Sequence, residues 1–171
     1  MTSLHSTRGM TLETERLRLR PTTLKDLAVA HQWYGDPATM QYITGHPCTM
    51  EETEQRLLKT IADHTEHGIG LCMTELKETG DPIGHCGLKP FLVDGIVHGE
   101  LAWLFAPSFW RQGFGTEIAT GLIEYARRPL SLPRVIAIAH PHNAYSLTIM
   151  ERLGMTRMSA TDTQVTYELT L

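Results

Sequence analysis

Residues 105–116 read FAPSFWRQGFGT, and this stretch decides the fold. Apolar residues that end a strand come first, a turn follows, and Gly113 and Gly115 lead into a helical pattern. Such a loop points successive backbone N–H groups at one spot, and the start of the helix adds partial positive charge. Glycine permits a close approach because it has no Cβ. The stretch therefore predicts a site for a pyrophosphate or a similar anion.

Three phosphate-binding interpretations compete for this loop, beside the alternative of a simple tight turn. A P-loop needs GxxxxGK[ST], and no Gly-Lys-Ser/Thr occurs in the sequence. A dinucleotide fingerprint needs GxGxxG, but Ile118 occupies the third glycine position. It also needs an acidic residue at the end of the next strand, where the chain reads Ala139-His140. Coenzyme A needs the same anion cradle without that acidic residue.

Patterns on both sides of the loop predict an α+β domain. Runs of period two or of wholly apolar residues predict strands around 17–19, 69–76, 83–92, 97–105, 135–139, 155–158 and 164–169. Apolar residues at helical spacing, with caps, predict helices over 24–34, between Thr49 and Gly68, over 116–128 and over 143–153. We therefore expect about seven strands in a mostly antiparallel sheet, flanked by about four helices.

Length and composition indicate one globular domain. The chain has 171 residues, of which 42% are hydrophobic and 20% are charged. The polar start predicts a flexible leader over 1–10 and a single domain over 11–171. The net charge of −4 argues against nucleic acid as the main partner. No apolar run is long enough to span a membrane, so we expect no membrane partner.

Cysteine and histidine usage indicates a reducing compartment and no metal. The three cysteines, Cys48, Cys72 and Cys86, are odd in number and lack CxxC spacing. We therefore expect a cytoplasmic protein. His140 and His142 invite a metal interpretation, but no third ligand is near them in the sequence. We expect no metal, and either a monomer or a homodimer.

Four motifs in order resemble the GNAT superfamily of acetyl-CoA-dependent N-acyltransferases. The similarity is strongest to the branch that includes the ribosomal-protein N-terminal acetyltransferases. It covers about residues 12–169. The segments that carry it are LETERLRLRP (12–21), GELAWL (99–104), WRQGFG (110–115), and NAYS (143–146) followed by MERLGM (150–155).

This resemblance implies a fold and a donor site. In the family the fourth and fifth strands run parallel and splay apart, and acetyl-CoA lies in the opening; here they are 97–105 and 135–139. The backbone of Leu104 and Phe105 is expected to pair with the pantetheine arm. Asn143 is expected to bind that arm, although Asn is also a preferred helix N-cap. The pyrophosphate is expected on the N–H groups of Arg111, Gln112, Gly113, Phe114, Gly115 and Thr116, with the Thr116 hydroxyl adding a contact.

The resemblance also implies acetyl transfer to a primary amine, directly within a ternary complex. The acceptor is a protein N-terminus or a small-molecule amine. Glu100 is the candidate base, unless it is only a solvated charge on a strand. Many members use a tyrosine as general acid where this chain has Met150. Ser146 is therefore the candidate acid and cofactor contact, with Tyr145 a weaker candidate. The alternative for Ser146 is a serine that bonds backbone in the first helical turn.

The acceptor site is expected in the first two helices and their connection. Aromatic surface from Trp33, Tyr34 and Tyr42 near Asp36 suits a cationic amine. An aromatic residue at helical spacing is more often core, and we favour that interpretation for Trp33. Two other functions stay open: a coenzyme A-binding sensor or scaffold without turnover, and a nucleotide-binding regulator.

Overall fold

The computed structural model describes residues 9–171. They form one eight-stranded sheet in the order β1-β2-β3-β4-β5-β6-β8-β7. The strands are β1 (Leu12–Glu13), β2 (Leu17–Pro21), β3 (Leu71–Leu76), β4 (Pro82–Val93), β5 (Ile96–Phe105), β6 (Arg134–Ala139), β7 (Thr156–Ala160) and β8 (Val165–Thr170). The helices are α1 (Leu27–Tyr34), α2 (Pro37–Met40), α3 (Met50–His67), α4 (Phe114–Arg127) and α5 (Ala144–Arg152).

All neighbouring strands are antiparallel except β5 and β6, which are parallel. The predicted α+β class and mostly antiparallel sheet are therefore confirmed. The strand count is eight because the short β1 pairs with β2 at Leu12↔Leu19, a pairing that the sequence did not reveal. The strands that we predicted as fourth and fifth are consequently β5 and β6.

Helix boundaries follow local capping chemistry. Thr49 and Glu52 form the predicted capping box at the start of α3, and Gly68 ends that helix with a φ of +74°. The short helix α2 was not predicted, and Pro37 lies in its first turn. A proline fits there because the first turn lacks intrahelical N–H bonds. The side chain of Asp36 caps the same helix by accepting from Thr39 N at 2.7 Å.

The core is divided between the two faces of the sheet. Successive strand residues point to opposite faces, so Cys72 and Phe105 join one apolar cluster while Met73 and Leu104 join another. The first cluster packs against α4, whose buried positions include Ile118, and the second against α1 to α3. The helices on the two faces therefore approach β5 from opposite sides.

The start of the packed chain differs slightly from our expectation. Most of the predicted leader, residues 1–8, lies outside the described residues. Met10, which we assigned to the leader, is 1% exposed and packs in the core. Its carbonyl accepts a hydrogen bond from Cys72 Sγ at 3.3 Å. Within residues 9–171, no helix combines the length and apolarity needed to cross a bilayer.

Candidate active site

A cleft opens where β5 and β6 diverge. The two strands pair from Gly99↔Val135 to Leu101↔Ala137, and there the pairing stops, although β5 continues to Phe105 and β6 to Ala139. A cavity of about 640 Å³ lies at this divergence. Its lining comes from β5, β6, the first three helices and the start of α5. The predicted splay is therefore present.

One edge of β5 is available to an extended ligand. Ala102–Phe105 pairs with β4 on one side, and no strand in the described part of the chain pairs with it on the other. An unpaired strand edge presents N–H and C=O groups that an extended chain can bind. The Trp110 indole N–H donates to the Phe105 carbonyl at 2.7 Å and so marks the end of this edge. Leu104 and Phe105 both line the cleft.

The loop after β5, residues 111–116, has the geometry of an anion cradle, and we call it the glycine loop. Arg111 has a φ of 59° and Gly113 a φ of 83°, both in the left-handed region. Gly113 is the N-cap of α4, and no side chain caps that helix. The N–H groups of its first turn therefore remain available, as anion binding at a helix start requires. A smaller cavity of about 390 Å³, lined by Gly113 and Thr116, adjoins the loop.

Close packing also favours glycine at position 115. A Cβ built on Gly115 would lie 2.7 Å from Ile149 Cδ1 and 3.4 Å from the Tyr145 hydroxyl. The start of α4 therefore packs directly on α5. Tyr145 lines both cavities, with its hydroxyl beside the glycine loop.

Arg16 braces the glycine loop from the turn before β2, a contact that the sequence analysis missed. Its Nη1 donates to the Gln112 carbonyl at 3.0 Å, and its Cζ lies 4.2 Å from the centroid of the Phe114 ring. Its Nε donates to Glu117 Oε2 at 2.7 Å. A planar guanidinium can make these contacts together because it combines a fork of donors with a stacking face. Arg16 therefore joins the loop to the first turn of α4.

Glu117 completes this brace. Its Oε1 accepts from the Thr14 hydroxyl at 2.5 Å and from the Arg16 backbone N–H at 2.8 Å. Burial raises the pKa of Glu117, but the hydrogen bonds from Thr14 and Arg16 outweigh it and hold the pKa below its usual value. The carboxylate thus remains charged at neutral pH and its negative charge is matched by Arg16.

The start of α5 brings three of the predicted site residues, Asn143, Tyr145 and Ser146, to the cleft. Asn143 Oδ1 accepts from the Ser146 backbone N–H at 3.2 Å, so Asn143 is the N-cap of α5 as well as a lining residue. Its amide nitrogen makes no hydrogen bond within residues 9–171. Ser146 also lines the cleft, and its hydroxyl makes no hydrogen bond in the described part of the chain. The Ser146 hydroxyl is therefore free for a ligand.

Glu100 lines the cleft and forms an ion pair that the sequence did not reveal. Lys89 is its cross-strand partner on β4, and Lys89 Nζ lies 2.5 Å from Glu100 Oε1. The Glu100 side chain is 16% exposed, so the carboxylate is not a fully solvated surface charge. Cross-strand partners share a face, and His85 is the partner of Leu104. Alternation then puts His85, Lys89, Glu100 and Leu104 on one face, that of α1 to α3.

His85, which the sequence analysis missed, anchors this face of the cleft. Its Nδ1 is bonded to the Tyr34 hydroxyl at 2.7 Å and its Nε2 to the Thr22 hydroxyl at 2.8 Å. Burial, together with the nearby His64, lowers the pKa of His85 to about 3. Burial likewise raises the pKa of Tyr34. His85 is therefore a neutral, rigid link between β4 and α1.

The three predicted aromatic acceptor residues have different positions. Tyr34 lines the cleft and lies beneath the guanidinium of Arg56, whose Cζ is 5.5 Å from the ring centroid. Tyr42 lines the cleft and stacks on His140, with 5.5 Å between ring centroids. Trp33, on α1, is 1% exposed, packs in the core and does not line the cleft. The structure thus brings only Tyr34 and Tyr42 to the cleft.

Histidines near the cleft do not assemble a metal site. The rings of His140 and His142 are tilted relative to each other, with 5.4 Å between their centroids. Across residues 9–171, no three His, Cys, Asp or Glu side chains stand together as a set of metal ligands.

Comparison with known proteins identifies the family. Residues 16–156 match the profile of the acetyltransferase (GNAT) domain family. The chain belongs to the GNAT acetyltransferase family. It is therefore an acetyl-CoA-dependent acyltransferase, as the resemblance of the four motifs predicted.

Individual relatives agree with this assignment. The uncharacterized N-acetyltransferase p20 of Bacillus licheniformis is 30% identical over 145 residues, which cover 84% of this chain and 81% of that protein. The acetyltransferase of Agrobacterium tumefaciens strain C58 has a solved structure with a TM-score of 0.82 and 26% identity, covering 100% of this chain and 99% of the other. RimL, an acetyltransferase of ribosomal L7/L12 solved with coenzyme A, shares the fold with a TM-score of 0.80 at 14% identity, covering 95% and 98%.

Proposed function

We propose that this acetyltransferase moves an acetyl group from acetyl-CoA to a primary amine, in a ternary complex of the donor, the acceptor and the enzyme. The observation that carries the proposal is the divergence of β5 and β6 beside a glycine loop whose N–H groups are uncapped. The free β5 edge and the uncapped loop, which we call the donor half, suit an extended amide-containing arm followed by a pyrophosphate. Coenzyme A has this combination of groups.

The residues of the donor half fit acetyl-CoA. Arg111 to Thr116 would hold the pyrophosphate through backbone N–H groups. Leu104 and Phe105 would pair with the pantetheine arm, and the free amide nitrogen of Asn143 would bind the same arm. In the related chain RimL, coenzyme A is the bound molecule. The cytoplasm supplies acetyl-CoA, and three free, buried cysteines suit that reducing compartment.

The other face of the cleft would bind and activate the amine. We call Tyr34, Arg56, His85, Lys89 and Glu100 the acceptor half. A lysine-type amine has a pKa of about 10.4, so it must lose a proton before or during attack. Glu100 would take this proton, directly or through a water, in an orientation fixed by Lys89. The amine nitrogen then bonds to the thioester carbon.

Collapse of the tetrahedral intermediate would break the carbon–sulfur bond. A backbone N–H near Trp103 on the free β5 edge would stabilise the oxyanion. The leaving thiolate would take a proton from solvent, directly or through the Ser146 hydroxyl, which would give up its own proton and regain one from solvent. This step needs little assistance because thiol pKa values lie near about 8.5. The products are an amide and coenzyme A.

The test is turnover and acetyl-CoA affinity in Glu100→Gln. Loss of a general base typically costs about 100-fold or more in rate, so kcat should fall by at least that factor. The dissociation constant for acetyl-CoA should change less than about threefold, because Glu100 does not belong to the donor half. Glu168→Gln is the matched control, since Glu168 forms an ion pair with Arg134 on the neighbouring strand but lies outside the cleft lining.

Two outcomes would overturn the proposal in different ways. Wild-type turnover in Glu100→Gln would remove Glu100 from the chemistry. Tight acetyl-CoA binding without turnover on any amine would favour a coenzyme A-binding sensor.

A further inference from the structure

We infer that the amine acceptor also carries an anionic group, which Arg56 binds at the far end of the acceptor half. The inference rests on the proposed function and extends it to the class of acceptor. Arg56 lies on α3, is half-buried and lines the cleft. It makes no salt bridge with a carboxylate anywhere in residues 9–171. An arginine that is half-buried without an anionic partner at a binding cleft is available to one that a ligand supplies.

Charge in the cleft points the same way. Apart from histidines, the charged residues of the lining are Arg56, Lys89, Glu100 and Arg111. Lys89 is paired with Glu100, and Arg111 belongs to the glycine loop. Among the lining residues within 9–171, Arg56 is thus the cation that neither the ion pair nor the donor half uses. The cleft has an excess of positive charge although the whole chain carries a net charge of −4.

The ring of Tyr34 supports the Arg56 guanidinium. Its Cζ stacks 5.5 Å from the centroid of the Tyr34 ring. Tyr34 is 3% exposed, and its hydroxyl is tied to His85. His85 is in turn tied to Thr22 and stays neutral at physiological pH. A guanidinium over an aromatic ring keeps its N–H edge available to a carboxylate or phosphate.

Strand register sets the approximate distance between the anion and the amine. Arg56 lies over Tyr34, whose hydroxyl is bonded to His85, the cross-strand partner of Leu104. Glu100 and Lys89 pair four residues further along the same two strands. Four residues of strand span roughly 13 Å. The acceptor is therefore an extended molecule, with its amine near Glu100 and its anionic group some distance away, rather than a simple α-amino acid.

The experiment compares matched acidic and neutral acceptors. One series consists of tetrapeptide amides with a free N-terminus and Glu or Gln at position two, three or four. An extended peptide advances about 3.3–3.6 Å per residue, so the position of Glu measures the distance between amine and anion. A second series compares ω-amino carboxylic acids of increasing length with alkylamines, which distinguishes a peptide source of the carboxylate from a small-molecule source.

We expect the wild-type kcat/KM to favour an acidic acceptor over its neutral match by about tenfold or more, most strongly at positions three or four. Arg56→Met should reduce this ratio to about twofold or less, and Arg56→Lys should retain part of it. Lys59→Met is the control, because this substitution removes the same charge from the same helix. Lys59 pairs with Asp63 and lies outside the cleft lining. Thermal melting of each variant checks that the fold is intact.

Calorimetric titration of the same peptides into the protein loaded with coenzyme A repeats the comparison without turnover. Equal kcat/KM and equal affinity for acidic and neutral acceptors would overturn the inference. So would a preference that survives in Arg56→Met. Either result would leave acetyl-CoA binding and turnover intact, whereas failure of the proposed function would abolish turnover on every amine, with or without loss of acetyl-CoA binding.

Discussion

The donor half and the acceptor half of the cleft are built in different ways. The donor half consists mainly of backbone groups from one continuous stretch, the free β5 edge and the glycine loop over residues 102–116. The acceptor half consists of side chains from α1, α3, β4 and β5, joined by Tyr34–His85 and Lys89–Glu100 contacts. A backbone cradle tolerates many side chains, whereas a constellation of side chains changes with each substitution. This difference supports the proposal that the donor half binds coenzyme A and the acceptor half binds a particular amine.

Gly113→Val should separate the two halves most strongly. Gly113 has a φ of 83°, a conformation that a β-branched residue adopts only with strain. We expect the dissociation constant for acetyl-CoA to rise about 30-fold, or roughly 2 kcal/mol, in a calorimetric titration.

Gly80→Val is the matched control for Gly113→Val. Gly80 has a φ of +77° in the turn between β3 and β4, with no atom within 4 Å of a built Cβ. Gly80→Val should lower the melting temperature about as much as Gly113→Val does, and it should leave the acetyl-CoA affinity unchanged. Equal loss of affinity in both variants would mean that general destabilisation, rather than the loop, governs binding.

Acid should weaken the acceptor half through His85. The pKa of His85 is lowered to about 3 in the folded protein, against about 6.5 when unfolded, so between these values only the unfolded chain takes up the proton. The free energy of unfolding should therefore fall by about 2 kcal/mol between pH 7 and pH 5 relative to His85→Gln. Urea denaturation at the two pH values measures this.

His46→Gln is the control for this experiment, because His46 is an exposed loop residue. It should follow the wild-type pH dependence. If His85→Gln did so as well, His85 would not be the buried neutral link that the contacts with Tyr34 and Thr22 indicate.

Arg16→Met should loosen the glycine loop without touching the acceptor half. It removes the contacts to Gln112 and Glu117, which are partly exposed to solvent. We therefore expect the binding free energy of acetyl-CoA to weaken by about 1 kcal/mol, or about fivefold in the dissociation constant. Arg18→Met removes only the exposed pair with Glu13 and should bind acetyl-CoA like the wild type. Unchanged affinity in Arg16→Met would show that the loop holds its shape without the brace.

Tyr145→Phe should have the smallest effect. The Tyr145 hydroxyl lies near Gly115, and Tyr145 is 42% exposed. We expect turnover and acetyl-CoA affinity to stay within about threefold of the wild type, since an exposed hydroxyl contributes little. If turnover instead fell by about 100-fold while the affinity stayed the same, Tyr145 would be the general acid in place of Ser146.

The contrast between a continuous stretch of chain and side chains from distant elements also explains which features the sequence predicts. Some features depend only on residues that are close along the chain and can therefore be predicted from the sequence. They are the capping box at Thr49, the apolar strand around 135–139 and the glycine loop. The two-residue β1 carries no periodicity, and the helical turn after Pro37 is too short to show one. Both short elements depend on tertiary packing.

The contacts that complete the site join distant residues. Arg16 and Glu117 are 101 residues apart, and Tyr34 and His85 are 51 apart. Arg56 stands among Glu51, Glu52 and Glu54 in the sequence and resembles an ordinary solvated charge. Glu100 was predicted from its motif, but its partner Lys89 was not, because register alone brings the two side chains together. Residues in one motif are therefore predictable, and partners set by strand register are not.

Calorimetric titration of the purified protein with acetyl-CoA, with ATP and NAD as controls, tests the central claim most directly. We predict one site per chain with a micromolar dissociation constant, or about −8 kcal/mol, and much weaker binding of ATP and NAD. Absence of acetyl-CoA binding, or equal binding of ATP or NAD, would contradict the assignment of the β5 edge and the glycine loop to coenzyme A.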